Sequence, residues 1–496
     1  MTTRTYHIQT FGCQMNASDS EWLARALDAL GFTPAPFEEA TFHILNTCSV
    51  RDKPEQKVYS ELGRIARHCK VMRRQGVTVC VGGCVAQQTG AALVKRFPQV
   101  RLVFGTDGIA QAPRAIERLA EEPRLRLSLL DFTQSYVERD DPRLANGDTP
   151  SSSSPFAAVA PAVFVNIMQG CDNFCTYCIV PYVRGRQKSR DADAVLQECR
   201  LLARAGAREI TLLGQNVNSY GQDLGPGAIT FPDLLRRVAA IEGIERLRFV
   251  TSHPKDIAPE VIAAFGELSC LCPRLHLPLQ SGSDRILKAM NRRYDTRRYL
   301  DIVEGLRKAR PDILLTTDII VGFPGEEDAD FEATMDMMRH IGFASAFSFV
   351  YSDRPNARAC LLPGKIERPL ALERLSRLQD MQNSASEKLL ASTCGSESLI
   401  LVEGKSRMAA LPRQEEGAAK NYAANADEYW QGRTPQGFIV NVPLGAYPPR
   451  SGDRPDGWPG GRPDGRPNGW LGALVPVRID EAARHSLKGT RIGDPW

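Results

Sequence analysis

Three cysteines fall within one short stretch, Cys171-Asp172-Asn173-Phe174-Cys175-Thr176-Tyr177-Cys178, at spacing C-x3-C-x2-C. Thiolates this close can wrap one iron–sulfur cluster from a single loop. A cubane has four irons, so three cysteines leave one iron without a protein ligand, open to a substrate or cofactor. In a chain of this length and cysteine content the spacing arises by chance in roughly one sequence in a hundred. The competing readings are a zinc site and buried structural thiols. A structural zinc wants a fourth Cys or His at a matching spacing, and the residues that follow offer none until Cys199.

A second set, Cys13, Cys48 and Cys84, recurs at intervals of 35 and 36 residues. Strands are predicted at 6–10, 42–46, 77–81 and 101–104. Between them lie a helix opened by a Ser18–Glu21 capping box and running to about residue 30, one from Asp52 to about residue 68, and one near 91–97. Strands alternating with helices imply an open parallel α/β sheet. Each cysteine of the set follows a strand, and ligands of open α/β sheets bind beyond the carboxyl ends of strands. Three converging metal ligands and three buried core thiols are both consistent with the spacing. Cys69 and Cys80 fall inside predicted elements and read as core or half-buried residues.

The chain has 496 residues, enough for two to four domains with full cores. Its 43% hydrophobic and 24% charged residues are those of a globular protein, and its net charge of +4 permits a nucleic-acid partner without demanding one. No apolar run approaches membrane-spanning length, and the first residues carry no apolar signal core. A cytoplasmic location with no membrane contact is expected. An odd count of 13 cysteines then argues for thiols and metal ligands rather than disulfides.

Residues 138–162 are polar and then Ser/Pro/Ala-rich, and read as a linker. A second α/β alternation follows, with strands predicted at 163–168, 209–213, 247–251, 274–277, 313–319 and 345–350. Helices are predicted at 192–203, 231–241, 284–290, 296–309 and 328–341. Six strands with right-handed crossovers suggest an open (β/α)6 barrel. Active sites of parallel barrels lie at the carboxyl ends of strands, where the three-cysteine loop falls. Polar runs end four other strands: Leu213 through Asn218, Thr251 through Pro254, His276 through Ser283, and Asp318 through Glu326. Turn chemistry explains their glycines and prolines, but less readily the repeated Gln, His and Asp. Arg184, Arg186, Lys188 and Arg190 form one basic segment, and residues 285–310 hold nine basic and three acidic side chains. A solvated face and a phosphate-contacting surface are the two readings.

A helical pattern over 370–390 leads out of the barrel. Short strand signals at 398–402, 437–442 and 474–479, closed by 486–489, suggest a small β-barrel. Residues 445–470 interrupt it with Arg-Pro-Asp-Gly repeats and Trp458 and Trp470, a composition that builds no core and reads as an inert insertion.

The Cys171–Cys178 loop resembles that of the radical S-adenosylmethionine (SAM) enzymes. In that family the open iron chelates the amino and carboxylate groups of SAM, whose cleavage gives a deoxyadenosyl radical. Gln9 through Asn16, Asn46-Thr47-Cys48-Ser49-Val50-Arg51 and Gly83-Cys84-Val85-Ala86-Gln87 resemble the amino-terminal motifs of the methylthiotransferases, radical SAM enzymes with two clusters. The resemblance implies two [4Fe–4S] clusters, one on Cys171, Cys175 and Cys178 and an auxiliary one on Cys13, Cys48 and Cys84. It implies SAM beside Tyr177, Gln215, Asn216, Asp318, Val321 and Phe323, and it favours the phosphate reading of Arg184–Arg190. The implied domains are a methylthiotransferase domain at 1–137, a radical SAM partial barrel at 163–390 and a TRAM-like RNA-binding barrel at 391–496. The motifs around Cys13 and Cys48 resemble members that modify isopentenyl-adenosine in tRNA. The implied partners are the tRNA anticodon stem-loop, an electron donor such as flavodoxin, and an unidentified sulfur donor. A threonylcarbamoyl-adenosine or ribosomal-protein substrate, and a non-catalytic metal-binding RNA adaptor, are the alternatives. Asn356-Ala357-Arg358-Ala359 departs from the family's usual Gly-Thr-Pro-Ala run, which touches loop shape rather than cluster chemistry.

Overall fold

The computed structural model describes residues 4–49, 52–71, 77–122, 124–139, 159–406, 429–445 and 469–496. In the amino-terminal domain six strands form one parallel sheet: β1 (Thr5–Thr10), β2 (Thr33–Pro34), β3 (Phe42–Thr47), β4 (Thr78–Gly83), β5 (Val100–Phe104) and β6 (Leu127–Leu129), in the order β2-β1-β3-β4-β5-β6. β3 and β4 are buried along their whole length, as expected of central parallel strands covered on both faces. Helices α1 (Gln14–Ala29) and α4 (Ala112–Glu121) cover one face around Leu23, Leu27 and Ile116. Helices α2 (Asp52–Val71) and α3 (Cys84–Arg96) cover the other around Leu62, Ile65 and Leu93. The strand order reverses between β1 and β3. Such a switch point opens a crevice at the carboxyl ends of strands, and Cys13 and Cys48 flank it.

Two helices begin earlier than the sequence pattern suggests. α1 starts directly after Cys13, so Ser18 and Glu21 lie inside it and form no capping box. Buried Asn16 fixes the first turn there by donating to the carbonyls of Phe11 (3.0 Å) and Thr47 (2.8 Å). α3 starts at Cys84, where the Val85 amide donates to the Thr47 hydroxyl of the neighbouring strand at 3.2 Å. Both anchors run to Thr47 of β3, more than 30 residues away, and leave no local cap signal.

The central domain contains β7 (Ala162–Asn166), the short pair β8 (Met168–Gln169) and β9 (Lys188–Ser189), and then β10 (Glu209–Leu213), β11 (Arg246–Phe249), β12 (Arg274–His276), β13 (Leu314–Val321) and β14 (Ser345–Val350). Its helices are α5 (Val180–Val183), α6 (Ala192–Arg204), α7 (Phe231–Ala239), α8 (Pro259–Glu267), α9 (Asp284–Ala289), α10 (Thr296–Ala309), α11 (Asp328–Ile341) and α12 (Arg368–Ser392). The parallel triplets β7-β10-β11 and β12-β13-β14 join where Leu247 pairs with the 270–272 stretch. The result is the expected six-stranded open barrel, with β7 and β14 at its edges. Alternate residues of each strand, such as Leu247, Leu315, Ile319 and Val321, pack outward into the helix layer. None of the described helices is long and apolar enough to cross a membrane.

The carboxy-terminal strands β15 (Glu397–Lys405), β16 (Tyr429–Arg433), β17 (Ile439–Pro443), β18 (Leu474–Ala482) and β19 (Leu487–Arg491) close into a barrel in the order β15-β16-β17-β19-β18. Its β16–β17 turn caps the amino-terminal end of the central barrel. Arg246 donates to the Arg433 carbonyl (2.6 Å), Arg248 to those of Pro435 (2.8 Å) and Thr434 (3.1 Å), and Arg274 to that of Gln436 (2.9 Å). Residues 446–468 of the expected insertion and 140–158 of the expected linker lie outside the described residues. Trp470 does not belong to an inert insertion. It is a fully buried core residue whose indole N–H donates to the Gly445 carbonyl at 2.9 Å. The linker's first residues are also fixed, since Arg139 pairs with Asp19 at 2.6 Å and Glu138 with Arg190 at 2.7 Å.

Candidate active site

The three-cysteine loop hangs from the β8–β9 pair, which closes its base through Met168–Ser189 and Gln169–Lys188 pairing. Gly170 is required at its root. Its φ is +80°, and a Cβ there would lie 1.9 Å from the Arg186 carbonyl oxygen. The barrel's other loops hold the far side: Thr176 donates from its amide to Met290 (3.0 Å) and from its hydroxyl to Ala289 (2.9 Å), and Asn291 donates to the Phe174 carbonyl (3.0 Å). Cys175 is buried against His253 Nε2 (3.8 Å) and Arg292 Nη1 (3.5 Å), while Cys171 and Cys178 are half-buried. Burial pushes the Cys171 thiol up to about 11 and raises Cys178 further, and each feels the charge of Cys175. Such thiols ionise when a metal takes the proton's place. Among the described residues no three His, Cys, Asp or Glu close on a point the size of one ion. Three cysteines on one loop are a donor set that fits a cluster with one iron left open.

Beside the loop, the barrel interior holds buried polar atoms with no hydrogen-bond partner among the described residues: Asn216 Oδ1, Asn218 Nδ2, Ser252 Oγ and Gln280 Oε1. Leaving such groups unpaired costs about 1–3 kcal/mol each, so they fit a polar ligand. Tyr177 packs in one apolar cluster with Ile320, Ile286, Tyr351 and the fully buried Phe323, so a purine would meet Tyr177 with Phe323 behind it. The other expected SAM residues differ in role. Gln215 accepts the Gly170 amide at 2.6 Å and contacts the Met15 sulfur, so it braces the loop. Val321 faces the helix layer. Asp318 faces inward but pairs with His276 at 3.4 Å. Burial and the nearby cations Arg292, Lys255 and Arg293 hold His253 far below the usual imidazole range, and so neutral. Asn218, Ser252 and Gln280 lie in polar runs visible in the sequence, but only the fold singles them out. Arg292 had no signal beyond its place in a basic stretch.

Cys13, Cys48 and Cys84 come together at the switch-point crevice. Gly12, with φ +108°, allows the approach, since a Cβ there would lie 2.1 Å from Cys48 Cβ. The three thiols surround the Arg184 guanidinium, which is only 4% exposed. Those thiols and Asp19 outweigh its burial and raise its pKa. Arg184 arrives from the central domain, six residues after Cys178. In the same segment Ile179 and Val183 pack on Cys84. The residues from Cys178 to Arg184 thus bridge the two cysteine sets.

This geometry corrects the phosphate reading of the Arg184–Arg190 segment. Arg184 donates to Asn16 at 2.9 Å, Lys188 is buried against Asp107, and Arg190 is buried against Glu138 and Glu198. These side chains clamp the central barrel to the amino-terminal domain and the segment that follows it. Arg186 alone of the four is exposed, where it pairs with Asp172 at 2.8 Å.

Residues 165–338 match the model of the radical SAM superfamily, and residues 5–105 that of the uncharacterized protein family UPF0004. The tRNA-2-methylthio-N(6)-dimethylallyladenosine synthase of Nitratidesulfovibrio vulgaris is 56% identical over the full length of both chains. That of Lawsonia intracellularis is 46% identical over 98% of each. The chain belongs to this radical SAM methylthiotransferase family. SAM and [4Fe–4S] clusters are the cofactors of these methylthiotransferases, and both sites built above have the donors for them. The radical SAM methyltransferase TsrM of Kitasatospora setae, solved with tryptophan and a SAM analogue, superposes with a TM-score of 0.50 over 81% of this chain and 79% of its own. At 14% identity that likeness shows the fold alone.

Proposed function

We propose that this methylthiotransferase adds a methylthio group to C2 of N6-isopentenyladenosine at position 37 of tRNA, within the anticodon stem-loop. The observation that carries the reading is the pair of three-cysteine sets linked by the residues from Cys178 to Arg184. C2–H of adenine is neither acidic nor easily displaced, so the carbon calls for radical chemistry and a nearby sulfur source. In this reading Cys171, Cys175 and Cys178 hold one [4Fe–4S] cluster and Cys13, Cys48 and Cys84 hold the auxiliary one. Bound there, the clusters and SAM supply a deoxyadenosyl radical, the sulfur and the methyl group. Asn216, Asn218, Ser252 and Gln280 receive the polar end of SAM, and Tyr177, backed by Phe323, its adenine. Arg292 donates toward Cys175 and Tyr177 (3.3 Å), so it fixes both and offsets thiolate charge. His253, held neutral, adds no charge at that thiolate.

The carboxy-terminal barrel takes the RNA-binding part, and the domain boundaries near 138–162 and 391 follow the same reading. A flavodoxin-like electron donor and a cytoplasmic setting suit the chemistry, and the sulfur donor remains to be identified. The test is anaerobic reconstitution, then reduction with SAM and an isopentenylated anticodon stem-loop, with nucleosides read by mass spectrometry. A methylthio adduct on the modified adenosine is expected, and Cys175→Ala removes it together with about half the bound iron. SAM cleavage without an adduct on this RNA refutes the substrate assignment.

A further inference from the structure

The inner face of β14 carries a feature that the cluster and SAM sites leave unused. Ala346 and Val350 pack on the helix-layer core, and Ser348 accepts from Gln379 of α12 at 3.3 Å. Strand alternation therefore turns Ser345, Phe347 and Phe349 toward the barrel interior. Phe347 is 53% exposed there, on an edge strand at the barrel's open side. In the sheet register it stands beside Asp318, and Thr316 stands beside Ser345. His276 meets Phe347 edge to face, with ring centroids 6.3 Å apart. The imidazole is held between the Thr316 hydroxyl (3.0 Å) and Asp318 (3.4 Å). Below this layer, Arg246, Arg248 and Arg274 seal the barrel against the carboxy-terminal turn. Above it stand Ile320, Phe323 and Tyr177. The layer is a shelf reached from the side, between a closed floor and the cluster loop.

We propose that this shelf seats the substrate base, a purine with an apolar N6 substituent. Phe347 is its stacking platform and prenyl contact, and Asp318 accepts its N6–H. The inference rests on the tRNA reading above and names the residues that sense the modified base. An N6-alkylated adenine keeps one N–H at N6, which a carboxylate can accept. Its isopentenyl tail has no polar atom and gains by leaving water for an exposed ring. Plain adenine offers the N–H without the tail. The shelf should therefore bind both bases and prefer the alkylated one.

The test compares stem-loops carrying N6-isopentenyladenosine or adenosine at the target position, using the reconstituted full chain. Their Kd values are read by fluorescence anisotropy. Phe347→Ala is expected to weaken the isopentenylated RNA about ten-fold and to bring the preference between the two RNAs close to one. Asp318→Ala is expected to weaken both RNAs alike, because both carry an N6–H. Iron content and Tm check folding. If Phe347→Ala loses iron, Phe347→Leu decides, with the tail preference partly kept and affinity for both RNAs reduced. A wild-type chain that cleaves SAM but modifies neither RNA overturns the tRNA reading itself. If the wild-type chain modifies RNA while Phe347→Ala keeps its affinity and its preference, the shelf alone is overturned.

Discussion

Arg184→Met separates the two readings of the basic segment. In the structure Arg184 is a clamp between domains: it donates to Asn16 at 2.9 Å and lies 3.9 Å from Asp19, with both charged groups buried. A hydrogen bond from a charged donor contributes about 1.5–3 kcal/mol. The Asp19 attraction is about 4 kcal/mol gross at an effective dielectric of 20, but desolvation cancels most of it. Asp19 also keeps its 2.6 Å contact with Arg139, so the substitution does not strand a carboxylate. The net loss should be about 2–4 kcal/mol. It should fall on the amino-terminal domain, where α1 carries Asn16 and Asp19. Native-state hydrogen exchange on the metal-free chain reads it as a roughly thirty- to thousand-fold loss of protection in β1 and α1. The salt dependence of RNA binding should not change. A side chain contacting phosphate would do the reverse: stability would hold within about 0.5 kcal/mol, and the salt slope would fall by about 0.7. That second result would refute the clamp.

Two further outcomes follow from the same geometry. In the metal-free chain, its contact with Cys48 and then the Arg184 charge hold the Cys13 thiol down to about 5, while burial raises Cys84. The Cys13 thiolate thus prevails above about pH 5, and its stabilising effect is complete only above the unfolded thiol's pKa and is lost as pH falls from there through about 5. Alkylation read by mass spectrometry should reach half its maximal rate near pH 5 at Cys13 and well above neutrality at Cys84, and a Cys13 midpoint above pH 8 would contradict the contact. Trp470→Ala should cost the carboxy-terminal barrel about 3–5 kcal/mol, whereas Trp470→Phe should lose about 1 kcal/mol, the worth of the bond to Gly445. Both are read by urea unfolding of the barrel, and a Trp470→Phe variant as stable as the wild type would speak against that bond.

The chemistry was legible in the chain because it is local. Three thiols within eight residues can wrap one cluster from a single loop, and the alternation of strands and helices set both α/β domains, with the predicted strands all present and only the short β2, β6, β8 and β9 added. The convergence of Cys13, Cys48 and Cys84 was half legible: strand ends share one side of a parallel sheet, but only the switch point between β1 and β3 and the missing side chain of Gly12 bring the thiols together. What the sequence left undecided depends on contacts between distant segments. The helix starts at Cys13 and Cys84 are anchored by Asn16 and Thr47 across strands, so no local cap announces them. A run of arginines and lysines looks the same whether it meets phosphate or a buried carboxylate. Asp19, which lies more than 160 residues before Arg184, and Asp107, 81 residues before Lys188, decided for the carboxylate. Trp470 borders a Gly/Pro-rich run, yet the closing of five strands put it in a core. Spacing along the chain thus determined which chemistry the protein carries, and tertiary packing decided which polar groups it leaves free to perform that chemistry.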